Sequence, residues 1–505
     1  MNPYVLADWT TKQNIAELVA AGLAKSQRLN RPVLVSLTER VEWQEATHFF
    51  AAARERGEEA FLWTHPDQQF ALTGVGVAYR IETRGDSRFR DTATAWQALL
   101  DDALVDGLDT LAGSGPTLVG GFGFDPLRSR SETWQGFTDG SFVLPRYQLT
   151  THRDAALLTE NLVIGGLSVP QEISNGGDWR VARPRATQAD PDSAKFRGYG
   201  AERRYVVTIP PSSLSQNGHH QTSNPYSIES LLSPETWKAI VAQATQDIKA
   251  SDYEKIVLAR GVQVTADHAF DLYAILNALQ QAYSRAYTFA ITRGNKTFLG
   301  ATPERLVGVS GGIVRATALA GTARRGATPE EDAQVGADLM ASAKNRHEHD
   351  VVVQMLRAAL SEPCVDIHAA DSPTLLKLAN VQHLYTPVSG RLRPQSTLMD
   401  LIARLHPTPA VGGLPSQKAV GYIRDHEGLD RGWYAAPVGW LDARKEGDFA
   451  VALRSGLVEG NTATLFAGCG IVADSDPTAE LTESELKLQP MLKALAERRV
   501  ESGER

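Results

Sequence analysis

Cysteine is nearly absent: Cys364 and Cys469 are the only two in 505 residues. Two isolated thiols build neither a disulfide framework nor a cysteine-based zinc site, which fits a reducing compartment. Positive charge is in deficit as well. The chain has 51 Lys and Arg against 59 Asp and Glu, a formal net charge of −8. That balance excludes a basic field for nucleic acid. An acidic chain that acts on an anion must build its positive site locally, from a few cations or a divalent metal. No apolar run reaches the length of a membrane helix, so no membrane partner is expected. The opening residues, MNPYVLADWTTKQN, lack an apolar signal core, and a cytoplasmic protein is expected. Self-similarity at a fixed period is missing, which excludes a solenoid.

What remains is ordinary for a globular chain: 42% hydrophobic and 22% charged, with length to bury a large core. Residues 14–29 space Ile15, Leu18, Val19 and Leu23 for one apolar helical face. Strand signals follow at 32–37, 60–63 and 70–81, the last bent or bulged at Gly74 and Gly76. A helix is expected from 91, then strands at 117–125 and 141–149. Residues 172–225 carry no sustained period, and 210–225 reads as an exposed loop or linker. Its His219-His220 pair reads as solvated, because no acid or cysteine completes a ligand set.

Beyond 235 the pattern sharpens. A helix stripe runs through Trp237, Ile240, Val241, Ala244 and Ile248, and 253–264 alternates like a strand. Strands are expected at 287–300, 305–316, 433–441, 448–456 and 463–467, with one long helix over 330–360. Strands and helices mix without βαβ alternation. The expected class is α+β: large antiparallel sheets packed as a sandwich, helices outside. An N-terminal half (1–225) and a catalytic region (235–495) are expected to form one compact unit.

Candidate chemistry gathers in the second half. In 464–495 an apolar strand passes through Gly468-Cys469-Gly470, crosses a polar turn and becomes a helix. There Glu480, Glu483 and Lys487 stand at i, i+3 and i+7, on one face. They suit a site for a metal and an anion, or a solvated face with one ion pair. Glu348 projects from the apolar side of its helix with Val351, Val352, Met355 and Leu356, where a carboxylate needs a partner or a metal. Lys255 is the single lysine of an apolar strand: a candidate neutral-amine base, or a lysine snorkelling from an edge. Glu304 follows a proline at a turn, as a general acid or an exposed turn acid. Arg454 lies in an apolar run, for carboxylate or phosphate recognition or a buried structural pair.

These residues sit in a fixed series of segments: EKIVLAR (254–260), GATPE (300–304), ALAGT (318–322), KNRHEH (344–349), HLYTPVSG (383–390), HPTPAVGG (406–413), ALRSG (452–456) and AGCGIV followed by SDPTAELTESELK (467–487). In that order they resemble the chorismate-utilising enzymes: anthranilate, aminodeoxychorismate, salicylate and isochorismate synthases. The likeness is strong over 235–495 and weaker in the N-terminal GGFGFD and FVLP segments. Within the family the chain most resembles the isochorismate synthases, which add water at C2 of chorismate and expel the C4 hydroxyl with Mg²⁺. Lys255 stands where water-using members carry their base, and Ala320 where aminodeoxychorismate synthase carries a nucleophilic lysine. Two departures are Ala318, where many members have proline, and Asn345, where many have an acid.

The resemblance implies roles. Lys255 would be the base and Glu304 the acid. Glu348 and Glu483 would bind Mg²⁺, and Glu480 its waters. Arg454, Lys487, Tyr434 and the Gly468 N–H would hold carboxylates. Leu319, Ala320, Gly321, Thr322, His406 and Ala410 would complete the chorismate site. The pathway implied is menaquinone or siderophore biosynthesis, menaquinone preferred, by a monomer or homodimer. Salicylate synthase is the nearest alternative, an amine-forming synthase a weaker one. A non-catalytic chorismate-binding protein would be expected to lack the Lys255–Glu304 pair.

Overall fold

The computed structural model describes residues 13–165, 171–172, 226–377 and 381–497. The loop expected at 210–225, with His219 and His220, lies outside them. Among the described residues two large sheets carry the fold, of 13 and 11 strands. Nearly every neighbour is antiparallel; Val33–Val41 with Leu104–Asp106 and Gln171–Glu172 with Tyr79–Thr83 are the parallel pairs. Ten α-helices accompany the sheets among the described residues. Both sheets interleave strands from the two halves of the chain. The larger runs Tyr287–Arg293 beside Ala60–His65, and the smaller runs Pro437–Asp442 beside Thr117–Phe122.

The sheets face each other across an aromatic core. Trp63, Phe289 and Phe298 enter from the larger sheet, and Phe122, Phe142 and Phe449 from the smaller. A second cluster covers the outer face of the larger sheet. There Phe50, Ile275, Leu279 and Met491, from helices Ala46–Glu55, Leu272–Ala282 and Pro477–Leu495, pack on Leu299 and Leu465.

Several expected strands prove to be two strands in different sheets. The stretch 70–81 divides at Gly76 (φ +66°): Phe70–Val75 joins the larger sheet and Tyr79–Thr83 the smaller. The stretch 141–149 divides at Pro145 in the same way, between Gly140–Leu144 and Tyr147–His152. Periodicity alone cannot show such a switch, because both pieces keep period two. The helix expected over 330–360 is also two, Pro329–Ala341 and Ala343–Ser361. Ser342 ends the first and caps the second by accepting from the Asn345 N–H. Leu23, expected on the buried face of the first helix, is 47% exposed; Gly22 and Ser26 take the inner positions instead.

Phe298 contacts Phe289, Trp134 and Phe137 with ring centroids 5.3, 5.2 and 6.3 Å away. Truncation there opens a cavity in the packed core. Phe298→Ala should lose about 3–5 kcal/mol in denaturant unfolding. Ile313→Ala, at a partly exposed strand start, should lose far less.

Candidate active site

Two adjacent strand pairs leave the larger sheet for the smaller at one place. Lys296–Thr302 belongs to the larger sheet and Arg305–Ser310 to the smaller, so Glu304 sits at the crossing. Gly447–Val451 belongs to the smaller and Ser455–Glu459 to the larger, so Arg454 sits at a second crossing. The crossings are bonded to each other. The Val451 N–H donates to the Glu304 carbonyl (3.0 Å), the Ala301 N–H to the Arg454 carbonyl (3.1 Å), and Thr302 Oγ1 to the Val451 carbonyl (2.6 Å). Arg454 therefore does not lie inside a strand, as its apolar surroundings suggest. It has a left-handed φ of +48°, and its half-buried side chain makes no ion pair among the described residues.

The crossing buries Glu304 to 7% exposure. Burial pushes its carboxyl up to about 7, although Lys255, Arg454, the nearby Thr408 hydroxyl and Lys487 all pull the other way. The Thr408 hydroxyl lies near enough to favour the carboxylate without reaching hydrogen-bonding geometry. About half of the carboxyl groups thus keep their proton at neutral pH, as a proton donor requires.

Lys255 opens the strand Lys255–Ala266, and its Nζ lies 2.5 Å from Glu348 Oε1. The side chain runs over Gly470, where an added Cβ would come within 2.4 Å of Lys255 Cε. Gly413 is equally constrained: its φ is +121°, and a Cβ would meet the Lys255 carbonyl at 2.3 Å. Glu348 borders the buried face of its helix rather than lying on it. That face runs through His349, Val352, Val353, Leu356 and Leu360. His349 sets it, with Nε2 2.7 Å from Thr386 Oγ1 and Nδ1 3.3 Å from the Ala320 carbonyl. Burial lowers the pKa of this imidazole.

The strand Thr462–Ile471 pairs with the Lys255 strand as far as Ile471, but with Ser455–Glu459 only as far as Leu465. The edge beyond Leu465 is left open. Ala259, opposite Gly468, turns its N–H away to Glu427, so the alternation of the ladder turns the Gly468 peptide groups toward the open edge. Lys487 Nζ takes the Gly468 carbonyl at 2.9 Å and Glu483 Oε1 at 2.6 Å. Tyr434 is buried beneath, stacked on Phe466 at 5.3 Å, and burial raises its phenol well above the usual range. A Cβ at Gly468 would lie 3.4 Å from the Tyr434 hydroxyl.

Glu480 and Glu483 come together as the helical spacing implies. Their carboxylates and Cys469 Sγ lie within 4.8 Å of one another. Ser475 Oγ donates to Glu480 Oε1 at 2.8 Å, and burial raises the Glu480 pKa. Burial pushes the Cys469 thiol up to about 12, so the oxygen donors of this group suit a hard cation and the protonated sulfur does not. Glu348 stands outside the group, paired with Lys255.

His383 is a site residue that sequence patterns do not single out, although it opens the segment HLYTPVSG. Its Nδ1 lies 2.9 Å from Thr322 Oγ1, and its buried Nε2 has no protein partner among the described residues. Burial, then Arg454 and Lys487, push its pKa down to about 3. Thr322 follows the bulge that Gly321 (φ +75°) makes opposite Leu384 and His383, with Leu319 and Ala320 buried just before it. His406 is committed elsewhere: its Nε2 bonds the Phe124 carbonyl at 3.1 Å, and its ring meets Phe124 and Phe89 edge-on. The turn after it, half-burying Ala410, closes where Gly412 N–H bonds the Thr408 carbonyl at 2.9 Å.

Comparison with known proteins is consistent along the chain. The family model described as "Chorismate binding enzyme" matches residues 18–197 and 203–496. The isochorismate synthase MenF of Bacillus subtilis is 35% identical over 492 residues, covering 96% of this chain and 98% of that protein. The salicylate biosynthesis isochorismate synthase of Pseudomonas aeruginosa is 37% identical over 474 residues, covering 94% and 92%. Among solved structures, the menaquinone-specific isochorismate synthase MenF of Escherichia coli superposes with a TM-score of 0.70 at 21% identity. It covers 95% of this chain and 99% of that one, a likeness of fold.

The environment of Glu304 has a consequence separate from any reaction. Its folded pKa lies above the unfolded value, so the native state holds a proton that the unfolded chain releases. Stability should therefore fall as pH rises from about 4.5 to about 7, then level off. The full displacement corresponds to about 3 kcal/mol. Glu304→Gln should remove that loss, so its gain in unfolding free energy over wild type should grow through this window. A constant difference across the window would mean that Glu304 is ionised in the fold.

Proposed function

The chain belongs to the chorismate binding enzymes, and we propose that within them it is an isochorismate synthase. The single observation that carries this reading is the pairing of a buried carboxyl held near pKa 7, Glu304, with a lysine, Lys255, that influences it across the same site. Exchange of water for hydroxyl needs a base for the incoming water and an acid for the departing hydroxyl, in separate environments. The two full-length relatives named as isochorismate synthases support the same reaction.

In this reading the substrate carboxylates meet Arg454, which has no ion pair of its own among the described residues, Lys487 and the Gly468 N–H. Tyr434 supports them from below. The Gly321 bulge, with Leu319, Ala320 and Thr322, and the turn at Ala410 border the ring. Lys255, acting as the neutral amine once freed from Glu348, takes a proton from water as the new C–O bond forms at C2 and the ring double bonds shift. The C4–O bond breaks, and Glu304 protonates the oxygen as it leaves as water. Lys255 then holds one proton more and Glu304 one fewer, and exchange with solvent restores both. His406, bonded to the Phe124 carbonyl, has a structural part.

We place Mg²⁺ at Glu480 and Glu483, with Glu348 as a further ligand once it leaves Lys255. Carboxylate oxygens are the donors this ion prefers, and it usually retains waters. When bound it would offset the charge of a substrate carboxylate beside three glutamates. Menaquinone biosynthesis is the pathway we adopt, on the full-length match to a MenF. Salicylate biosynthesis is the second pathway, on the comparably long match to an isochorismate synthase of that pathway. A salicylate synthase, which would also eliminate pyruvate, is the second reading of the reaction.

Incubation with chorismate and Mg²⁺, followed by chromatography, should yield isochorismate. Salicylate with pyruvate would establish the second reading instead. EDTA should abolish turnover while circular dichroism stays unchanged, and Glu483→Ala should weaken metal binding measured by calorimetry. Glu304→Gln should lower kcat about 10²–10⁴-fold with little change in chorismate affinity. Lys255→Ala and Lys255→Arg should be comparably inactive, because a guanidinium stays protonated and cannot accept the proton. An active Lys255→Arg enzyme would end the base assignment.

A further inference from the structure

Two fully buried charges have no part in the chemistry above. Glu427 and Arg431 are 1% and 3% exposed and follow the helix Ser416–His426. Arg431 Nε lies 2.7 Å from Glu427 Oε1, and Nη2 2.5 Å from Oε2. The remaining bonds of the pair all go to main chain. Arg431 Nη1 donates to the Val411 carbonyl at 2.8 Å and Nη2 to the Val257 carbonyl at 2.7 Å. Glu427 Oε2 accepts the Ala259 N–H at 2.7 Å. The guanidinium lies 4.3 Å over the Phe124 ring.

The place of these bonds is informative. One edge of the Lys255 strand is covered by Gly413–Leu414 at Lys255–Ile256, and by Tyr226–Ser230 from Val262 onward. Between these two short strands, Val257 and Ala259 turn peptide groups to an edge that no strand covers. The Val257 N–H goes to the Gly412 carbonyl at 3.2 Å, and the Glu427–Arg431 pair takes the Val257 carbonyl and the Ala259 N–H. The pair thus replaces a piece of missing strand. It also grips Val411, in the turn whose Thr408 lies beside Glu304. The Arg431 carbonyl accepts the Tyr434 N–H at 2.8 Å. A buried ion pair is poor evidence of stabilisation, since apolar residues of similar volume often serve as well. Apolar residues cannot supply directed bonds to three backbone groups in two segments.

We propose that Glu427 and Arg431 are positioning residues that fix the strand of Lys255 against the turn beside Glu304, and so set base against acid. This rests on the acid–base reading given above. Three variants test it, with rates taken as chorismate consumed per folded enzyme. Arg431→Lys keeps the charge but cannot span Glu427, Val257 and Val411 together. Its kcat should fall by up to about 100-fold with KM within about threefold. Glu427→Gln keeps the shape and can still accept the Ala259 N–H, so its kcat should fall less. The double variant Glu427→Leu/Arg431→Met should recover much of the wild-type unfolding midpoint without recovering kcat. A purely structural pair predicts the opposite: kcat and midpoint recover together. That result, or Arg431→Lys with kcat within threefold of wild type, overturns the proposal. If the double variant does not fold, Arg431→Lys and Glu427→Gln decide. Wild-type product identity, measured in parallel, tests the isochorismate reading by itself, since the positioning claim is read from consumption whatever the product.

Discussion

A carboxyl group is buried where two strand pairs cross from one sheet to the other, and the site is arranged around it. Glu304 makes no ion pair among the described residues, yet three cations influence it: Lys255, Arg454 and Lys487. Burial outweighs their combined pull, so the group stays near pKa 7 instead of ionising fully. Were the crossing looser, water would reach the carboxyl and its pKa would relax toward an ordinary glutamate. The bonds between the crossings, Val451 to Glu304 and Ala301 to Arg454, are therefore part of the chemistry as much as of the fold.

The cations show how an acidic chain makes a local anion site. None of the three belongs to a basic patch. Lys255 begins a strand, Arg454 occupies a left-handed linker, and Lys487 rises from the last long helix. They converge because one strand, Thr462–Ile471, outruns its neighbour and leaves a glycine-lined edge uncovered. Gly470 lacks the side chain that would crowd Lys255, and a Cβ at Gly468 would press on the Leu258 carbonyl at 3.0 Å. Opposite signs are interleaved throughout: Lys255 with Glu348, Lys487 with Glu483. A ligand of Lys255, Glu348, Lys487 or Glu483 must exchange these contacts, whereas Arg454 makes no ion pair among the described residues.

Local signals are legible in the sequence where one element carries them. The last helix announces its start by a polar turn that ends in Asp476-Pro477, and its acid–base face by the spacing of Glu480, Glu483 and Lys487. It forms over Pro477–Leu495, with Asp476 as its cap. The sandwich class follows from the same kind of signal. Relations across the chain are not legible. ATPE reads as a turn that leaves Glu304 open between a general acid and an exposed turn acid, and only the crossing shows it buried. The partner of Lys255 lies 93 residues away. The apolar face of the Glu348 helix is centred on His349, because hydrogen bonds to Thr386 and Ala320 draw that ring inward. Gly76 and Pro145 mark sheet switches that keep period two on both sides. His383 owes its low pKa to burial and to Arg454 and Lys487, neither of which is near it in sequence.

In the chemistry proposed, water enters at one carbon through Lys255 while a hydroxyl leaves another through Glu304. Turnover of chorismate in heavy-oxygen water, with mass spectrometry of the product, tests this most directly. The expected product is isochorismate carrying one heavy oxygen at the C2 hydroxyl, with the original C4 oxygen released to solvent. Isochorismate without the heavy isotope would contradict it, because the hydroxyl would then have migrated within the substrate and no solvent water would have needed a base.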